Sequence, residues 1–470
     1  MAKAKKTDTL SIEEKLNAAL VPGDEHPYKV PKNWCWTFIG TVSKFERGIT
    51  FPASAKEHEK TKNNIPCLRT ANIQEELELD DLLYVDKSYM KGNNEKLVCK
   101  DDIIMSSANS RELVGKVSYV RYVNEPMTFG GFVLAIRANQ IIPKYLFYYL
   151  RYEFLCGNFM GESTQTTNIA NINTTVLGNY MIPIPHLAEQ QRIVDRIESL
   201  FSQLDEARDK AQEAIDNYDD RISAILSKAF SGELTAKWRK KNKKLLSDWK
   251  EVLSQEVCDP ITCGKTPKEY ITSEGEIPFL KVYNIVDNMI DFDKTPQFIP
   301  KRIHEGILKS SRLKPHDVIM NIVGPPLRKI AIIPDEYTEW NMNQAIVRFR
   351  AHEDILDYKF LYYTLLNPET LDEVIQQTKG VVGQANISVT QSRNLKFILP
   401  SLDEQKEIVR ILDLLLDREH EVLDISRIVL KNIEVIKKAI LSKAFRGELG
   451  TNNKSEHAAT ELILKILREE

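Results

Sequence analysis

The 470-residue chain has no G-x-x-x-x-G-K-[ST] loop to cradle phosphates, so nothing in it predicts ATP hydrolysis. It has no N-P-P-[FY] or D-P-P-Y tetrapeptide and no glycine-rich cofactor turn, features that an adenine methyltransferase of the usual kind would carry. The six cysteines, Cys35, Cys67, Cys99, Cys156, Cys258 and Cys263, form no C-x-x-C pair, and Cys258 with Cys263 has no nearby His pair to complete a zinc site. Free thiols in a reducing cytosol are the expectation. The eight histidines are scattered singly, which predicts neither a metal site nor a catalytic triad. No run of about 18 apolar residues occurs, and the opening MAKAKKTDTLSIEEKL has no apolar signal core, so a cytoplasmic protein with no membrane partner is expected. Large net charge is lacking as well. With 64 basic and 67 acidic residues the chain carries −3, so an anionic partner must be met by local basic patches rather than by the overall field.

What the chain does have is an internal repeat. Leu187–Leu234 and Leu402–Leu449 open with LAEQQRIVDRI and LDEQKEIVRIL and close with AILSKAFSGEL and AILSKAFRGEL. Their landmarks stand at one offset (404 − 189 = 447 − 232 = 215), so no residue was gained or lost between the ends, and two helices of equal length are predicted. In the first copy Ile193, Ile197, Leu200, Leu204, Ala207, Ala211, Ala214, Tyr218, Ile222 and Ile225 follow in steps of four and three, the pattern of a coiled-coil seam. The second copy has Ile408, Leu412, Leu415, Glu419, Val422, Ser426, Val429, Ile433, Lys437 and Ile440 at those places. Glu419, Ser426 and Lys437 fall opposite otherwise apolar rows, which favours pairing of the two copies with each other in one register. Pro185 or Pro400 precedes each helix and Gly232 or Gly447 closes it. At ~1.5 Å per residue each spans roughly 60 Å, a length suited to a spacer.

The globular segments repeat too. Trp249 answers Trp34, Asp317-Val-Ile-Met answers Asp102-Ile-Ile-Met, and Lys359-Phe-Leu-Tyr-Tyr answers Lys144-Tyr-Leu-Phe-Tyr, all at the 215 offset (249 − 34 = 317 − 102 = 359 − 144). The expected organisation is an arm at 1–27 with a Ser11/Glu14 capping box, a globular domain at 28–186 and a long helix at 187–235. An exposed basic linker at 236–247, a second globular domain at 248–401, a second long helix at 402–450 and a tail at 451–470 complete it. Short β-like runs (Ile65–Ala71, Asp102–Ser106, Lys116–Val123, Phe132–Arg137) before an aromatic helix at Lys144–Tyr152 indicate mixed α/β domains. Between the anchors the copies diverge. The Gly48 and Gly264 loops share little, and Ser107–Lys116 faces a wholly different Ile322–Lys329. Unlike loops on a like scaffold suit two separate recognition tasks.

One short pattern suggests chemistry. Pro334-Asp335 followed by Asp357-Tyr358-Lys359 fits the loose arrangement of metal-dependent nucleases, in which carboxylates and a lysine hold a divalent ion against a phosphate. The first repeat has Val120 and Ile142 where these acids stand, and we place the catalytic chemistry outside this chain.

Two variable domains alternating with two matched helices, with EQ-x-x-IV opening and AF-x-GEL closing each helix, resemble the specificity subunit of type I restriction-modification enzymes over nearly the whole chain. Further pieces carry the resemblance: Ile65-Pro-Cys-Leu-Arg-Thr-Ala-Asn-Ile and Ile277-Pro-Phe-Leu-Lys-Val-Tyr-Asn-Ile, Asn341-Met-Asn-Gln-Ala-Ile, Gln165-Thr-Thr-Asn-Ile-Ala-Asn-Ile and Gln384-Ala-Asn-Ile. The implied fold is α+β: a tandem duplication of a mixed α/β target recognition domain followed by a long helix, the two long helices pairing as an antiparallel coiled coil. The implied role is a non-catalytic subunit that binds double-stranded DNA and assembles with two methyltransferase subunits and two restriction/translocase subunits. S-adenosylmethionine, ATP and Mg²⁺ would belong to those partners, leaving this chain without a cofactor or metal. A pseudo-two-fold helix pair would match the two-fold of duplex DNA and hold two unlike half-sites a fixed gap apart. The first copy departs from the pattern at Met127-Thr-Phe-Gly-Gly-Phe, where the second has Met342-Asn-Gln-Ala-Ile, so Asn343 and Gln344 have no counterparts there. Polar loop residues expected at DNA are Arg47, Thr50, Arg69, Asn72, Asn109, Arg111 and Gln165 in the first domain, and Lys265, Thr266, Lys281, Asn284, Arg328, Lys329 and Gln384 in the second. Arg and Lys suit guanine edges or phosphates, Asn and Gln suit adenine. Two other readings fit part of the sequence: a helical adaptor between two proteins, which leaves the diverged domains unexplained, and the specificity partner of a fused restriction and modification enzyme outside type I.

Overall fold

The computed structural model describes residues 11–162, 164–166, 169–267, 269–378 and 386–469. The chain divides into two compact units, one holding the chain up to Lys210 together with Val429 onward, the other Ala211–Ile428. Each contains one globular segment and parts of both long helices.

In the first unit the strands Ser43–Arg47, Val133–Ala138, Ile103–Ser106 and Val117–Tyr119 lie side by side in that order, all antiparallel. In the second, Thr262–Cys263, Ile346–Phe349, Val318–Asn321 and Ile330–Ile332 repeat the arrangement. Because side chains alternate across a sheet, each central strand feeds two cores. Ile103, Met105, Leu134 and Ile136 pack under the aromatic helix Pro143–Leu155, while Ile104, Val133 and Ala135 pack with Leu68 and Phe129 of a smaller sheet. Likewise Val318, Met320, Val347 and Phe349 meet Phe360, and Ile319 and Ile346 meet Leu280, Trp340 and Met342. Burial on both faces explains why these strands read as continuous apolar runs. The aspartates of the paired D-I-I-M and D-V-I-M motifs are buried and hold an arginine in, or just past the end of, the neighbouring strand: Arg137 Nε donates to Asp102 at 2.9 Å, and Arg350 Nε and Nη2 donate to Asp317 at 2.6 and 2.7 Å.

The smaller sheets also correspond. Asn64–Leu68 runs parallel to Thr128–Phe129, and Ile277–Leu280 parallel to Trp340–Met342. Beneath the second of these, His304 is fully buried, its Nδ1 3.0 Å from the Asn341 amide nitrogen and its Nε2 without a hydrogen bond. Loss of hydration lowers its pKa, an effect that outweighs the opposing pull of Glu339. The unfolded chain therefore binds this proton at a higher pH than the folded one. Stability from this group is present above the ordinary histidine value of about 6.5 and is lost as pH falls below it, by at most about 1.4 kcal/mol per pH unit. Urea midpoints measured between pH 7.5 and 5.5 are expected to fall more steeply for the natural chain than for H304Q; equal slopes would show that His304 makes no difference.

The second long helix is continuous from Leu402 to Phe445, whereas the first is interrupted: Leu187–Asp216 is followed by Tyr218–Phe230, with Asn217 between. The two copies keep equal length, since 187–230 and 402–445 match at both ends at the 215 offset, and differ in continuity. At the break Arg221 donates to the Ala214 carbonyl at 3.0 Å and to Glu419 of the other helix at 2.7 Å. An acid that interrupted the apolar pattern thus meets a cation that also takes up a carbonyl at its partner's break. The helices run antiparallel: early residues Ile193 and Ile197 share a core with late residues Leu441 and Phe445 in the first unit, and Leu226 shares one with Ile408 and Leu412 in the second. Lys437, almost wholly buried, lies 2.9 Å from Asp205 and 3.1 Å from Glu75. Burial alone would raise the Glu75 pKa, but Arg151 and Lys437 outweigh it and hold the carboxyl at about 2. The seam takes Leu423, buried, in place of the adjacent Val422, which is 43% exposed, since 3.6 residues per turn drift against a seven-residue repeat.

The E-Q pair that opens each helix is a junction. Gln190 accepts from the Ile142 amide at 2.9 Å and donates to the Pro185 carbonyl, and Gln405 accepts from Asp357 and donates to Ile355 and Pro400, each at 2.9 Å. The aromatic helix is thereby tied to the long one. Glu189 accepts from Thr451 at 2.6 Å and from Arg192 at 2.7 Å; Glu404 accepts from Thr235 at 2.8 Å, Arg239 at 2.7 Å and Trp249 at 3.0 Å. The basic run is accordingly not a plain exposed linker. Ala236–Lys241 is helical and Arg239 is buried, because Glu404 draws its guanidinium inward while the surrounding lysines stay in water. In the first unit the tail helix Thr460–Glu469 packs beside the arm helix Ile12–Ala19, whose Ser11/Glu14 capping box is formed.

Candidate nucleic-acid interface

Each four-stranded sheet has one end where loops from different parts of the chain meet. In the first unit the end of strand Ser43–Arg47 carries Arg47, then Gly48 and Thr50; beside it, Gly130, Gly131 and Phe132 enter strand Val133–Ala138. Ile49 bridges Gly130, and the Gly48 amide donates to the Val133 carbonyl at 3.1 Å. On the other side the Ser107 amide donates to the Phe132 carbonyl at 3.0 Å, and Ala108–Asn109 joins the small sheet with Ile169–Asn171 and Thr164–Thr166. Gln165, Ala170 and Asn109 occupy one cross-strand row.

The second unit builds the same end from other residues. Gly264 donates to the Ile346 carbonyl at 3.1 Å, Lys265 and Thr266 follow, the Thr266 hydroxyl donates to Gln344, and the Ile322 amide donates to the Ala345 carbonyl at 2.8 Å. Val323 bridges Asn386. The Gly48 and Gly264 loops, unlike in sequence, are therefore alike in backbone. A β-carbon at Gly48 would collide with the Gly130 carbonyl, and one at Gly264 with that of Met342, so both positions require glycine for close approach. Phe132, Asn343 and Gln344 belong to this sheet end, although only the latter two stood out in the sequence.

The residues singled out by polarity separate into two groups. Arg47, Thr50, Arg111 and Lys265 are exposed, and the three cations make no ion pair with a described residue. Thr266 and Asn109 are half-buried at the same ends; Asn109 accepts from the Ser110 amide at 2.8 Å and donates to Ser106 at 3.1 Å. Gln165 is placed by its backbone, and Gln384 lies outside the described residues. The others are engaged within the protein. Asn72, buried, accepts from the Arg69 amide at 2.8 Å and donates to the carbonyls of Glu78 and Asp81, each at 3.0 Å. Asn284, buried, accepts from the Lys281 amide at 3.0 Å and donates to Asp291 at 3.3 Å. Arg69 pairs with Asp81 at 2.7 Å, Arg328 pairs with Asp372, Lys281 lies over the Tyr283 ring at 5.9 Å, and Lys329 donates to the Ile285 carbonyl at 2.9 Å. A buried amide that both donates and accepts within its own loop holds that turn. Asn284→Ala is thus expected to cost about 1–3 kcal/mol of stability, read from urea unfolding, while the DNA sequence selected by the second domain stays the same. A changed sequence at unchanged stability would reverse that assignment.

The nuclease-like residues do not converge. Asp335 lies 3.4 Å from His316, Asp357 caps a helix through the Lys359 and Phe360 amides, and Lys359 pairs with Asp413 at 2.8 Å. Among the described residues no group of three His, Cys, Asp or Glu is placed to hold a metal. Burial pushes the thiols of Cys35, Cys67 and Cys258 up to about 12, far from a reactive thiolate. No described helix is long and apolar enough to cross a membrane.

Two sheet ends of one backbone design and different side chains, each on a globular segment joined to a long helix, define a tandem recognition protein. The type I restriction modification DNA specificity domain matches residues 31–215 and again 246–423, and the chain belongs to that family. It is 26% identical over 441 residues to the type I restriction enzyme StySPI specificity subunit of Salmonella potsdam, covering 91% of this chain and 92% of that one. It is 24% identical over 435 residues to the EcoKI specificity subunit of Escherichia coli strain K12, with the same coverages. In fold it is similar to the HsdS subunit from Thermoanaerobacter tengcongensis (TM-score 0.64, 20% identity, 90% of this chain and 100% of that chain). A chain from work on complex assembly and conformational transition of the type I R-M system gives a TM-score of 0.63 at 20% identity, with the same coverages.

Proposed function

We propose that this chain is the DNA sequence-specificity subunit of a type I restriction-modification enzyme, in which each globular domain reads one half of a gapped, asymmetric site. The carrying observation is the pair of sheet ends: one backbone frame, held by Gly48 and by Gly264, with Arg47, Thr50 and Phe132 on one and Lys265, Thr266 and Gln344 on the other. The paired helices set the spacing and dock two methyltransferase subunits, one for each repeat. Two restriction/translocase subunits complete the enzyme. S-adenosylmethionine, ATP and Mg²⁺ work in those partners, and this chain, acting in the cytoplasm, contributes recognition without catalysis.

Methylome sequencing of cells expressing the matching methyltransferase subunit, with and without this chain, tests the reading. A motif of two unlike halves around an unread gap, methylated only when the chain is present, is expected. The same methylation without the chain overturns the proposal, as does methyl transfer by the chain alone.

A further inference from the structure

Phe132 and Tyr122 are the two largely exposed aromatics of the first domain, and of the two it is Phe132 that lies at the sheet end. Its side chain belongs to no hydrophobic cluster and is 62% exposed, yet its backbone is pinned: the carbonyl accepts from Ser107 at 3.0 Å and from Ala108 at 3.4 Å, and Val133 donates to Gly130 at 2.8 Å across it. It occupies the start of the central strand, between the strand that ends in Arg47 and the strand that leads to Asn109. At the corresponding place in the second unit, defined by the matching bond from Ile322, stands Ala345. An isolated exposed aromatic is common and by itself means little. Here it is rigidly presented at the middle of a polar, cation-flanked loop cluster, and the duplicated scaffold accepts a side chain of one carbon at the same point.

The major groove offers apolar side chains one partner that polar groups do not use, the C5-methyl of thymine. We infer that Phe132 is a specificity-determining residue that packs against a thymine methyl in the first half-site, deepening the recognition role proposed above and resting on it. Arg47, Thr50 and Asn109 flank it with the donors and acceptors suited to neighbouring base edges or phosphates. Ala345, with far less apolar surface, provides little of this contact in the second half-site.

The experiment uses the chain assembled with its methyltransferase subunit and synthetic duplexes carrying the methylome-defined motif, in which each thymine is replaced singly by deoxyuridine. Removing one buried methyl is worth about fourfold in affinity. At one thymine of the first half-site the natural complex is expected to lose about that factor, and F132A to bind more weakly while becoming indifferent to uracil at that position only. F132L is expected to retain the sensitivity. An F132A complex with unchanged affinity and an unchanged uracil profile overturns the inference, as does weaker binding coupled to no thymine, which would mark Phe132 as a contact to a partner subunit or to the DNA backbone. These results are read only from a complex that binds its motif, so they are distinct from failure of the recognition role itself, which would leave no motif to bind.

Discussion

Glu404→Ala is expected to be among the most damaging single substitutions in the chain, costing about 3–5 kcal/mol of stability in the second unit. Glu404 is 2% exposed and accepts from Thr235, Arg239 and Trp249 at once, while Arg239 is itself buried. Alanine would leave a guanidinium in low dielectric with no counter-charge, held by the Thr235 hydroxyl, the Gly232 carbonyl and the Trp249 ring 5.4 Å away. The penalty comes chiefly from that stranded charge, so the double variant Glu404→Leu with Arg239→Leu is expected to recover much of it, since a buried ion pair often does little better than apolar residues of like volume. Urea midpoints for the natural chain, the single variant and the double variant measure this. A single variant within about 0.5 kcal/mol of the natural chain would mean that water reaches Arg239 and that the junction is not sealed.

The second large effect is on the target rather than on stability. Inserting heptads into the first helix at Ala211 and matching heptads into the second at Ser426, both buried positions, is expected to abolish methylation at the original site and move it to sites with a longer gap. Two heptads in each helix add about 21 Å at ~1.5 Å per residue, or about six base pairs at ~3.4 Å. Three add about nine base pairs, close to a full turn of about 10, and so restore the face of the duplex presented to the second domain better than two do. Methylome sequencing of each variant reads the gap directly. The helices would lose the role of a ruler if half-sites changed while the gap stayed constant.

The insertion points were legible in the sequence because a coiled-coil seam is a local, periodic signal. Burial recurs every three or four residues whatever the helix packs against, and Ile193, Ile197, Ile408 and Leu412 all proved wholly buried. The exceptions have physical causes. At the break at Asn217, Arg221 reaches both Ala214 and a glutamate far along the chain, a pairing that no local pattern records. The basic run looked exposed for the same reason: five lysines around Arg239 dominate the composition, while the partner that buries the arginine lies 165 residues away.

For the recognition surface, residue type alone made no separation between Asn72 and Asn109, or between Lys329 and Lys265. An amide that caps a turn and an amide that reads adenine use the same donor and acceptor, and a lysine bound to carbonyls has the same sequence neighbours as one in water. Phe132 was passed over because polarity was the criterion, and an exposed aromatic is indistinguishable from a core one until the sheet is built.

By itself the sequence determined the duplication, the two mixed α/β domains, the paired helices and the family, because repeats, apolar periods and motif spacings are properties of order along the chain. Tertiary structure alone decided which polar residues face outward. It also decided that Gly48 and Gly264 hold equivalent loops, and that each E-Q pair ties a helix to its domain. Those outcomes depend on which atoms meet across long separations, and a buried charge or amide takes its role from the neighbours that replace water around it.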